Sequence, residues 1–227
     1  MYKACIFDLD GTLTDTLDSM TYSVNLTLER MNLPKITREQ CRSFVGNGAR
    51  VLMELTLKAC GDDKLKRIDE AMQVYSEVFA KYCTYHVKPY DGILEMLKEL
   101  KDMGVSLAVL SNKPDMQAVD VVGTFFGDGQ FQYVQGQKEG IPRKPDPAGV
   151  YEILRTLGIK KEECLYIGDS DVDIHTGRNA AIKTIGVSWG FRTREILKEA
   201  GADAIIDRPQ QLVSIVKGEK EKKNERV

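Results

Sequence analysis

The sequence predicts an α/β fold, in which a parallel sheet forms the core and a separate helical domain is inserted after the first strand. Short apolar runs alternate with amphipathic helical patterns over most of the chain. This alternation is typical of a parallel sheet covered by helices. It is interrupted once, between about residues 17 and 85, where apolar residues keep a helical spacing and no convincing strand is present. The interruption indicates the helical insertion.

Six runs carry the strand predictions. Each run is short and rich in apolar residues, as expected for strands that are buried on both faces. The runs cover residues 4–9, 105–111, 131–134, 164–168 and 184–187, with a weaker one at 204–206. Helical patterns cover residues 92–103, 148–157 and 194–200, and a glycine closely follows each, as helix C-termini prefer.

The insertion is long enough to form a unit of its own. We expect residues 16–85 to form a helical cap, and residues 1–15 and 86–216 to form the α/β core. The other reading of these helices is that they pack directly on the sheet; nearly 70 residues can also make a small bundle. Residues 217–227 are almost wholly charged and polar, so we expect a solvated tail without a function.

The composition excludes several classes of protein. Hydrophobic residues make up 42% of the 227 residues and charged residues 29%, which is ordinary for a folded domain. A formal net charge of -2 gives no attraction for nucleic acid or an acidic membrane surface. The apolar runs are far shorter than a membrane span, and no secretory leader is recognisable, so a cytoplasmic location is expected. The odd number of cysteines, five, without a CxxC pair indicates reduced thiols.

The first predicted strand ends in two aspartates, Asp8 and Asp10, followed by Gly11. Residues two apart in extended chain project to the same side, so both carboxylates can enter one site. Two close carboxylates repel each other unless a cation lies between them, and Mg²⁺ is the natural candidate for such oxygen ligands. Beside a metal ion, one carboxylate can attack phosphorus while the other handles the proton. The pair therefore predicts a phosphoryl-transfer site, although Asp and Gly also end many strands in ordinary turns.

Three further signals lie at the ends of later strands or close to them. Ser111 and Asn112 end the second long strand, Lys144 lies among three prolines, and Asp169 and Asp173 follow the strand at 164–168. Each has an ordinary reading as a strand end, a rigid loop or a helix cap. The carboxyl ends of parallel strands meet at one edge of a sheet, so together these residues predict one crevice.

These segments also resemble a known family. The series IFDLDGT, VLSN, the proline-flanked lysine and IGDSDVD resembles the four motifs of the haloacid dehalogenase-like (HAD) hydrolase superfamily, most of whose members are phosphatases. The resemblance spans nearly the whole chain and implies a Rossmann-like core with a helical cap. It implies that Asp8 is the nucleophile and Asp10 the general acid and base. Asp8, the Asp10 carbonyl and Asp169 would hold Mg²⁺.

The resemblance also assigns the supporting residues. Ser111 and Lys144, with Asn112, would bind the transferring phosphoryl group, and Asp173 would be a supporting acid that orients the metal site or Lys144. A glycine-rich stretch of the insertion could form a substrate loop that meets an anionic group; its candidate residues are Gly46, Asn47, Gly48 and Arg50.

The function implied is Mg²⁺-dependent hydrolysis of a small phosphorylated metabolite through an aspartyl phosphate. Residues 45–48 and 188–192 resemble phosphoglycolate phosphatases in particular, which makes phosphoglycolate a lead. Two alternatives stay open, a sugar phosphomutase like β-phosphoglucomutase and, in a different class, a phosphorylation-switch protein. The sequence does not indicate an oligomeric state.

Overall fold

A computed structural model describes residues 2–218 of the chain. Within them, the strands are β1 (Ala4–Phe7), β2 (Thr14–Asp15), β3 (Lys88–Pro89), β4 (Ser106–Pro114), β5 (Tyr133–Gln137), β6 (Cys164–Gly168), β7 (Lys183–Val187) and β8 (Ala204–Ile206). The helices are α1 (Leu17–Arg30), α2 (Arg38–Phe44), α3 (Gly48–Ala59), α4 (Ile68–Tyr82), α5 (Ile93–Asp102), α6 (Asp115–Phe126), α7 (Ala148–Leu157), α8 (Asp171–Asn179), α9 (Arg194–Glu199) and α10 (Gln210–Lys217).

Six strands form one parallel sheet in the order β5-β4-β1-β6-β7-β8. They are the six strands that the apolar runs predict, and the predicted α/β class is confirmed. Strand β4 continues to Pro114, three residues beyond the predicted end at Ser111. Because β1 lies in the middle of the sheet between β4 and β6, the residues that follow these three strands come together at one edge.

Helices cover both faces of the sheet. On one face, apolar residues of β1, β4, β6 and β7 pack with those of α5, α6 and α10 in a single buried cluster. On the other face, the alternate residues of β1, β4 and β6 pack with α7. Since successive strand residues point to opposite faces, strands covered on both sides are apolar at every position, which is why they read as continuous runs.

Helices α1–α4 make up the inserted segment and have their own buried cluster. Its members are apolar residues of the insertion from Leu17 to Cys83, and Phe191 of the core packs against them. The sequence does not predict the short antiparallel pair of β2 and β3, which joins the point where the chain enters the insertion to the point where it leaves. We propose the division expected from the sequence, with residues 16–85 as a cap on a core of residues 1–15 and 86–216.

Two other expectations concern the whole chain. The five cysteines are all free, and four of them are buried, whereas Cys60 is partly exposed. None of the helices within residues 2–218 is long and apolar enough to cross a membrane. The cytoplasmic location stays a prediction, and most of the expected charged tail at residues 217–227 lies outside the described residues.

Candidate active site

The structure brings three of the four predicted acids together with Lys144 at the carboxyl edge of the sheet. Asp8 directly follows β1 and Asp169 directly follows β6. Oxygen atoms of Asp8, Asp169 and Asp173 lie within 4.8 Å of one another, and all three residues are buried. Nζ of Lys144 lies 2.9 Å from Oδ1 of Asp8 and 2.7 Å from Oδ1 of Asp173, with 3% of its side chain exposed. Lys144 thus joins two of the three acids.

Asp169 is held by groups from two other loops. Its Oδ1 accepts a hydrogen bond from the Thr12 hydroxyl at 2.9 Å, and its Oδ2 accepts one from the Phe191 N–H at 2.8 Å. Gly11 lies directly against this carboxylate with a φ of +87°, so that a Cβ atom there would overlap Asp169. A glycine is therefore required at the turn, both for its left-handed backbone and for the space it leaves.

Both carboxylate oxygens of Asp173 accept hydrogen bonds. Its Oδ2 accepts hydrogen bonds from the backbone N–H and the hydroxyl of Ser170, at 3.1 and 2.6 Å, while Ser170 caps α8 in return. Its Oδ1 accepts from Lys144 and, at 3.5 Å, from the hydroxyl of Tyr166. These bonds hold the Lys144 side chain in place, and the supporting role of Asp173 stays a prediction.

Asp10 lies apart from this cluster and has a different partner. Its Oδ1 accepts a hydrogen bond from Nζ of Lys113 at 3.0 Å, and 16% of its side chain is exposed. Asp8 and Asp10 both line the same cleft. The two aspartates of the first motif therefore differ in burial and in partner.

Ser111 and Asn112 differ in what they can offer a ligand. Ser111 is buried and lines the cleft, and its Oγ accepts from the Lys113 N–H at 3.3 Å, so its hydroxyl hydrogen is free to donate. Nδ2 of Asn112 donates to the carbonyls of Gly46 and Lys144, both at 3.1 Å, and its Oδ1 accepts from the Lys144 N–H at 2.9 Å. Both side-chain N–H donors of Asn112 are therefore used, so the expected phosphate contact of this residue would have to come from its backbone N–H. Its side chain holds the backbone of Lys144 in place instead.

Burial and mutual repulsion shift the titration of the acid cluster. Burial raises the pKa of Asp8 well above its ordinary value, and the charge of Asp173 adds to this effect. Burial also raises the pKa of Asp169 to about 7, again with a contribution from Asp173. Burial by itself lowers the pKa of Lys144, but Asp173 and Asp8 outweigh it and raise that pKa well above its ordinary value. The lysine therefore stays charged.

These charges fit a divalent cation. Four carboxylates, those of Asp8, Asp10, Asp169 and Asp173, face the two ammonium groups of Lys113 and Lys144. With all groups ionised, this count leaves two negative charges in a buried site, which is costly unless a cation compensates them. Carboxylate oxygens are the ligands that Mg²⁺ prefers. The donor set of the site is therefore suited to Mg²⁺.

The inserted helices cover the cleft above these residues. The cleft between them and the sheet edge is open to solvent, so a small molecule could enter it. The insertion contributes apolar and glycine residues to its walls: Met20, Val45, Gly46, Gly48, Ala49, Leu52, Tyr75 and Phe79. On the core side, Phe191 and Arg192 also line it.

The expected substrate loop is only partly at this cleft. Gly46 and Gly48 line it, but Asn47 and Arg50 are not among the lining residues. Arg50 is exposed, and its guanidinium pairs with Glu54 at 3.2 Å and with Asp69 at 3.6 Å. The expectation that Arg50 meets an anionic group of the substrate needs correction, because it lies on the outer surface of α3.

Two arginines join the insertion to the core. Arg42, in α2, donates to the carbonyls of Phe191 and Gly190 at 2.9 and 2.8 Å. Arg192 donates in the opposite direction, to the carbonyls of Arg42 and Val45 at 2.9 and 2.6 Å. This reciprocal pair closes the cleft on the side of Asp169.

The sequence reasoning misses several of these residues. Lys113 lies two residues after Ser111, the spacing that places side chains on the same side of a strand. This spacing indicates a shared site only if β4 is known to extend beyond Ser111. Arg42 and Arg192 lie 150 positions apart, and Thr12 and Asp169 are separated by 157. Such contacts depend on how the insertion sits on the sheet and have no local signature.

A carboxylate pair at the end of the central strand, a lysine that bridges two acids and a cleft closed by helices define an enzyme of the phosphoryl-transfer class. The family described as haloacid dehalogenase-like hydrolase matches residues 5–187, and the chain belongs to this family. The superfamily expected from the four motifs is thereby confirmed.

Individual relatives match the chain over most of its length. Proteins named phosphoglycolate phosphatase from Haemophilus influenzae and Aquifex aeolicus are each 30% identical to it. The matches cover 95% and 94% of this chain and 98% and 96% of the relatives. Together with the family match, these relatives show that the chain is a phosphatase.

Solved structures show the same fold. A structure from Haemophilus somnus, described as a predicted phosphoglycolate phosphatase, has a TM-score of 0.87 at 26% identity and covers 94% of this chain and 97% of its own. A predicted phosphatase from Clostridium acetobutylicum has a TM-score of 0.83 at 27% identity and covers 96% and 99%. The similarity therefore includes the inserted helices as well as the sheet.

Proposed function

We propose that this protein is a Mg²⁺-dependent phosphatase that hydrolyses a small phosphate monoester through an aspartyl phosphate on Asp8. The observation that carries the proposal is the contrast between the two aspartates of the first motif. Asp8 lies in the buried acid cluster against Lys144, whereas Asp10 stands outside it, partly exposed, with Lys113 as its partner. One is placed to attack phosphorus and the other to exchange a proton with the leaving group or with water.

In the first step, a carboxylate oxygen of Asp8 forms a bond to phosphorus while the bond to the leaving oxygen breaks. Asp10 gives its proton to that oxygen. In the second step, Asp10 takes a proton from a water molecule, which attacks phosphorus and releases Asp8. The Ser111 hydroxyl, which lines the cleft, and the Lys144 ammonium beside Asp8 would stabilise charge on the phosphoryl oxygens.

The site would hold Mg²⁺ through Asp8, the carbonyl of Asp10 and Asp169. A bound Mg²⁺ would offset the carboxylate and phosphate charges that meet here. Thr12 and Phe191 would keep Asp169 in position through their hydrogen bonds to its two oxygens. Asp173 and Asn112 would fix the side chain and the backbone of Lys144, respectively.

The inserted helices would exclude bulk water and select the leaving group. Their residues at the cleft are mainly apolar, so the leaving group should be short. Phosphoglycolate is the lead substrate, since the relatives that match 94% or more of this chain carry that name.

Two other functions are distinguished by their products. A sugar phosphomutase would return an isomerised sugar phosphate, whereas hydrolysis releases inorganic phosphate. A phosphorylation switch would keep a phosphorylated Asp8 for minutes without turnover. The placement of Asp10 at the same cleft as Asp8 favours rapid hydrolysis.

The test is a screen of the purified protein against a panel of phosphorylated metabolites, with Mg²⁺ and with EDTA. We expect phosphate release with Mg²⁺ and none with EDTA, and the highest kcat/KM for a short anionic monoester. Full activity in EDTA would contradict the metal requirement. Isomerised sugar phosphate without free phosphate would support the mutase instead.

A further inference from the structure

Lys113 is a buried cation at the cleft that neither the family motifs nor the proposed reaction steps use. It lies near the end of β4, and 1% of its side chain is exposed. Its ammonium group lies 3.0 Å from Oδ1 of Asp10 on the core side. On the side of the insertion, it lies 4.6 Å from the centre of the Phe79 ring. Lys113 therefore occupies the junction between the acid–base residue and the helices above it.

The Lys113 ammonium group has more N–H donors than it uses. A lysine carries three N–H donors, and within residues 2–218 the one hydrogen-bond acceptor of Nζ is Asp10. The Phe79 ring can face a second N–H, but it is a weaker partner than an anion. A buried charged donor without an acceptor is unfavourable, and an anionic ligand group would relieve that cost. Since Lys113 lines the cleft, such a group could reach it.

Two other cations near the acid cluster have more than one partner. Lys144 is held between Asp8 and Asp173. Arg192 donates to two backbone carbonyls of the insertion. Among the described residues that line the cleft, Lys113 is thus the cation with a single hydrogen-bond acceptor, and the one that lies beside Asp10.

Apart from the hydroxyl of Tyr75, the residues that the insertion contributes to the cleft offer little to a polyhydroxylated leaving group. Met20, Leu52 and Phe79 present apolar side chains, so sugar hydroxyls would lose their water without gaining partners there. A short group with one anionic end suits this arrangement better, because its charge meets Lys113 and its carbon packs against the apolar wall.

We propose that Lys113 determines specificity by binding a carboxylate on the leaving group. The substrate class would be the phosphate monoesters of 2-hydroxycarboxylic acids, of which phosphoglycolate is the smallest. In these esters the carboxylate is attached to the carbon that bears the ester oxygen. If Asp10 contacts that oxygen, as the proposed function requires, the carboxylate comes within reach of the Lys113 ammonium, 3.0 Å from Asp10. The inference rests on the proposed function and adds the feature of the substrate that the enzyme recognises.

The test compares 2-phosphoglycolate with ethyl phosphate, which has the same length but no carboxylate. Both are assayed with Mg²⁺ for the wild type, Lys113→Met and Lys113→Arg. Arg50→Met is the matched control, because it removes a cation of the insertion that faces away from the cleft. We expect the wild type to prefer 2-phosphoglycolate.

In Lys113→Met, the ratio of the two kcat/KM values should fall by about 10- to 100-fold, the range of a charge-assisted hydrogen bond, and the loss should lie mainly in KM. Lys113→Arg should keep part of the preference, and Arg50→Met all of it. An equal loss for both substrates in Lys113→Met would overturn the proposal, because it would show that Lys113 only positions Asp10.

A second measurement needs no change at Lys113. The Asp8→Asn protein, loaded with Mg²⁺, is titrated with each ester by calorimetry, and we expect 2-phosphoglycolate to bind at least about tenfold more tightly. Equal affinities would overturn the proposal. If the wild type hydrolyses ethyl phosphate and 2-phosphoglycolate equally well, this inference fails while the proposed phosphatase function stands. If it releases phosphate from neither ester nor from p-nitrophenyl phosphate, the proposed function itself fails.

Discussion

Arg42 and Arg192 join the insertion to the core from opposite sides, because Arg192 holds the backbone of Arg42 while Arg42 holds the two residues that precede Arg192. Nε of Arg42 donates to the carbonyl of Phe191 at 2.9 Å, and a terminal nitrogen of Arg192 donates to the carbonyl of Arg42 at 2.9 Å. The N–H of the same Phe191 donates to Asp169 at 2.8 Å. The inserted helices and an acid of the proposed metal site therefore contact the same residue of the core, so that closure of the cleft and the position of Asp169 are linked.

Arg42→Met should weaken both closure and metal binding, because the loop at residues 190–191 loses the two hydrogen bonds that Arg42 donates to it. We expect the Mg²⁺ concentration for half-maximal activity to rise about tenfold, the effect of losing one or two hydrogen bonds to a charged donor. Arg38→Met is the control, since Arg38 lies on the same helix but pairs with the exposed Asp18. An unchanged Mg²⁺ dependence in Arg42→Met would contradict the link.

Asp8→Asn should abolish turnover while the fold is kept, because an amide is too weak a nucleophile to form the phosphorylated intermediate. Rapid quenching of the wild type with a labelled substrate should trap phosphate on Asp8, and the variant should show none. Circular dichroism checks that the variant is folded. Substantial phosphate release by Asp8→Asn would exclude Asp8 as the nucleophile.

The stability of the metal-free protein should fall as the pH rises from about 4 to 7. Burial raises the pKa of Asp169 to about 7, whereas an unfolded chain loses this proton near its ordinary value of about 4. The folded state binds more protons in that window, so deprotonation at higher pH disfavours it, by at most about 4 kcal/mol for one group. The melting temperature in EDTA should therefore be lower at pH 8 than at pH 5, and Mg²⁺ should raise it more at pH 8.

Asp169→Asn provides the control for this pH dependence. The amide is neutral at every pH, so the slope of the melting temperature in EDTA should be smaller than in the wild type. Part of the slope should remain, because burial also raises the pKa of Asp8. A wild-type slope in the variant, or a melting temperature that rises with pH in EDTA, would show that Asp169 is not the group that titrates.

Gly11→Ala should impair metal binding as well as stability. The φ of Gly11 is +87°, which costs alanine about 1 kcal/mol, and the added Cβ would also overlap the Asp169 carboxylate. Gly104→Ala isolates the first effect, because Gly104 has a φ of +76° and no atom lies within 4 Å of the position that its Cβ would take. Both variants should lose a similar backbone contribution, measured by denaturant unfolding, and only Gly11→Ala should need more Mg²⁺ for activity. Equal Mg²⁺ requirements would argue against the contact with Asp169.

The parts of the molecule that the sequence predicts are those with a local physical signature. Strands β1, β4, β6 and β7 are buried over most of their length and contain the clearest apolar runs, whereas the edge strands β5 and β8 are only partly buried. Asp8, Asp169 and Ser111 can be placed because parallel strands deliver their ends to one edge. The contacts of Asn112 cannot be predicted from the sequence, because its partners are the backbones of Gly46 and Lys144, which come close to it only in the folded chain. Lys113 escapes prediction because it lies two residues beyond the expected end of β4 at Ser111.

The short pairing of β2 with β3 has a consequence for how this enzyme could change over evolutionary time. The chain leaves the core at residues 14–15 and returns beside them at residues 88–89. The four inserted helices therefore form one long connection between two adjacent points of the core. The entropic cost of closing such a connection grows only slowly with its length. A descendant could therefore lengthen, shorten or replace it without disturbing the sheet. New substrates could then be acquired by exchange of one continuous segment, while the chemistry is inherited unchanged.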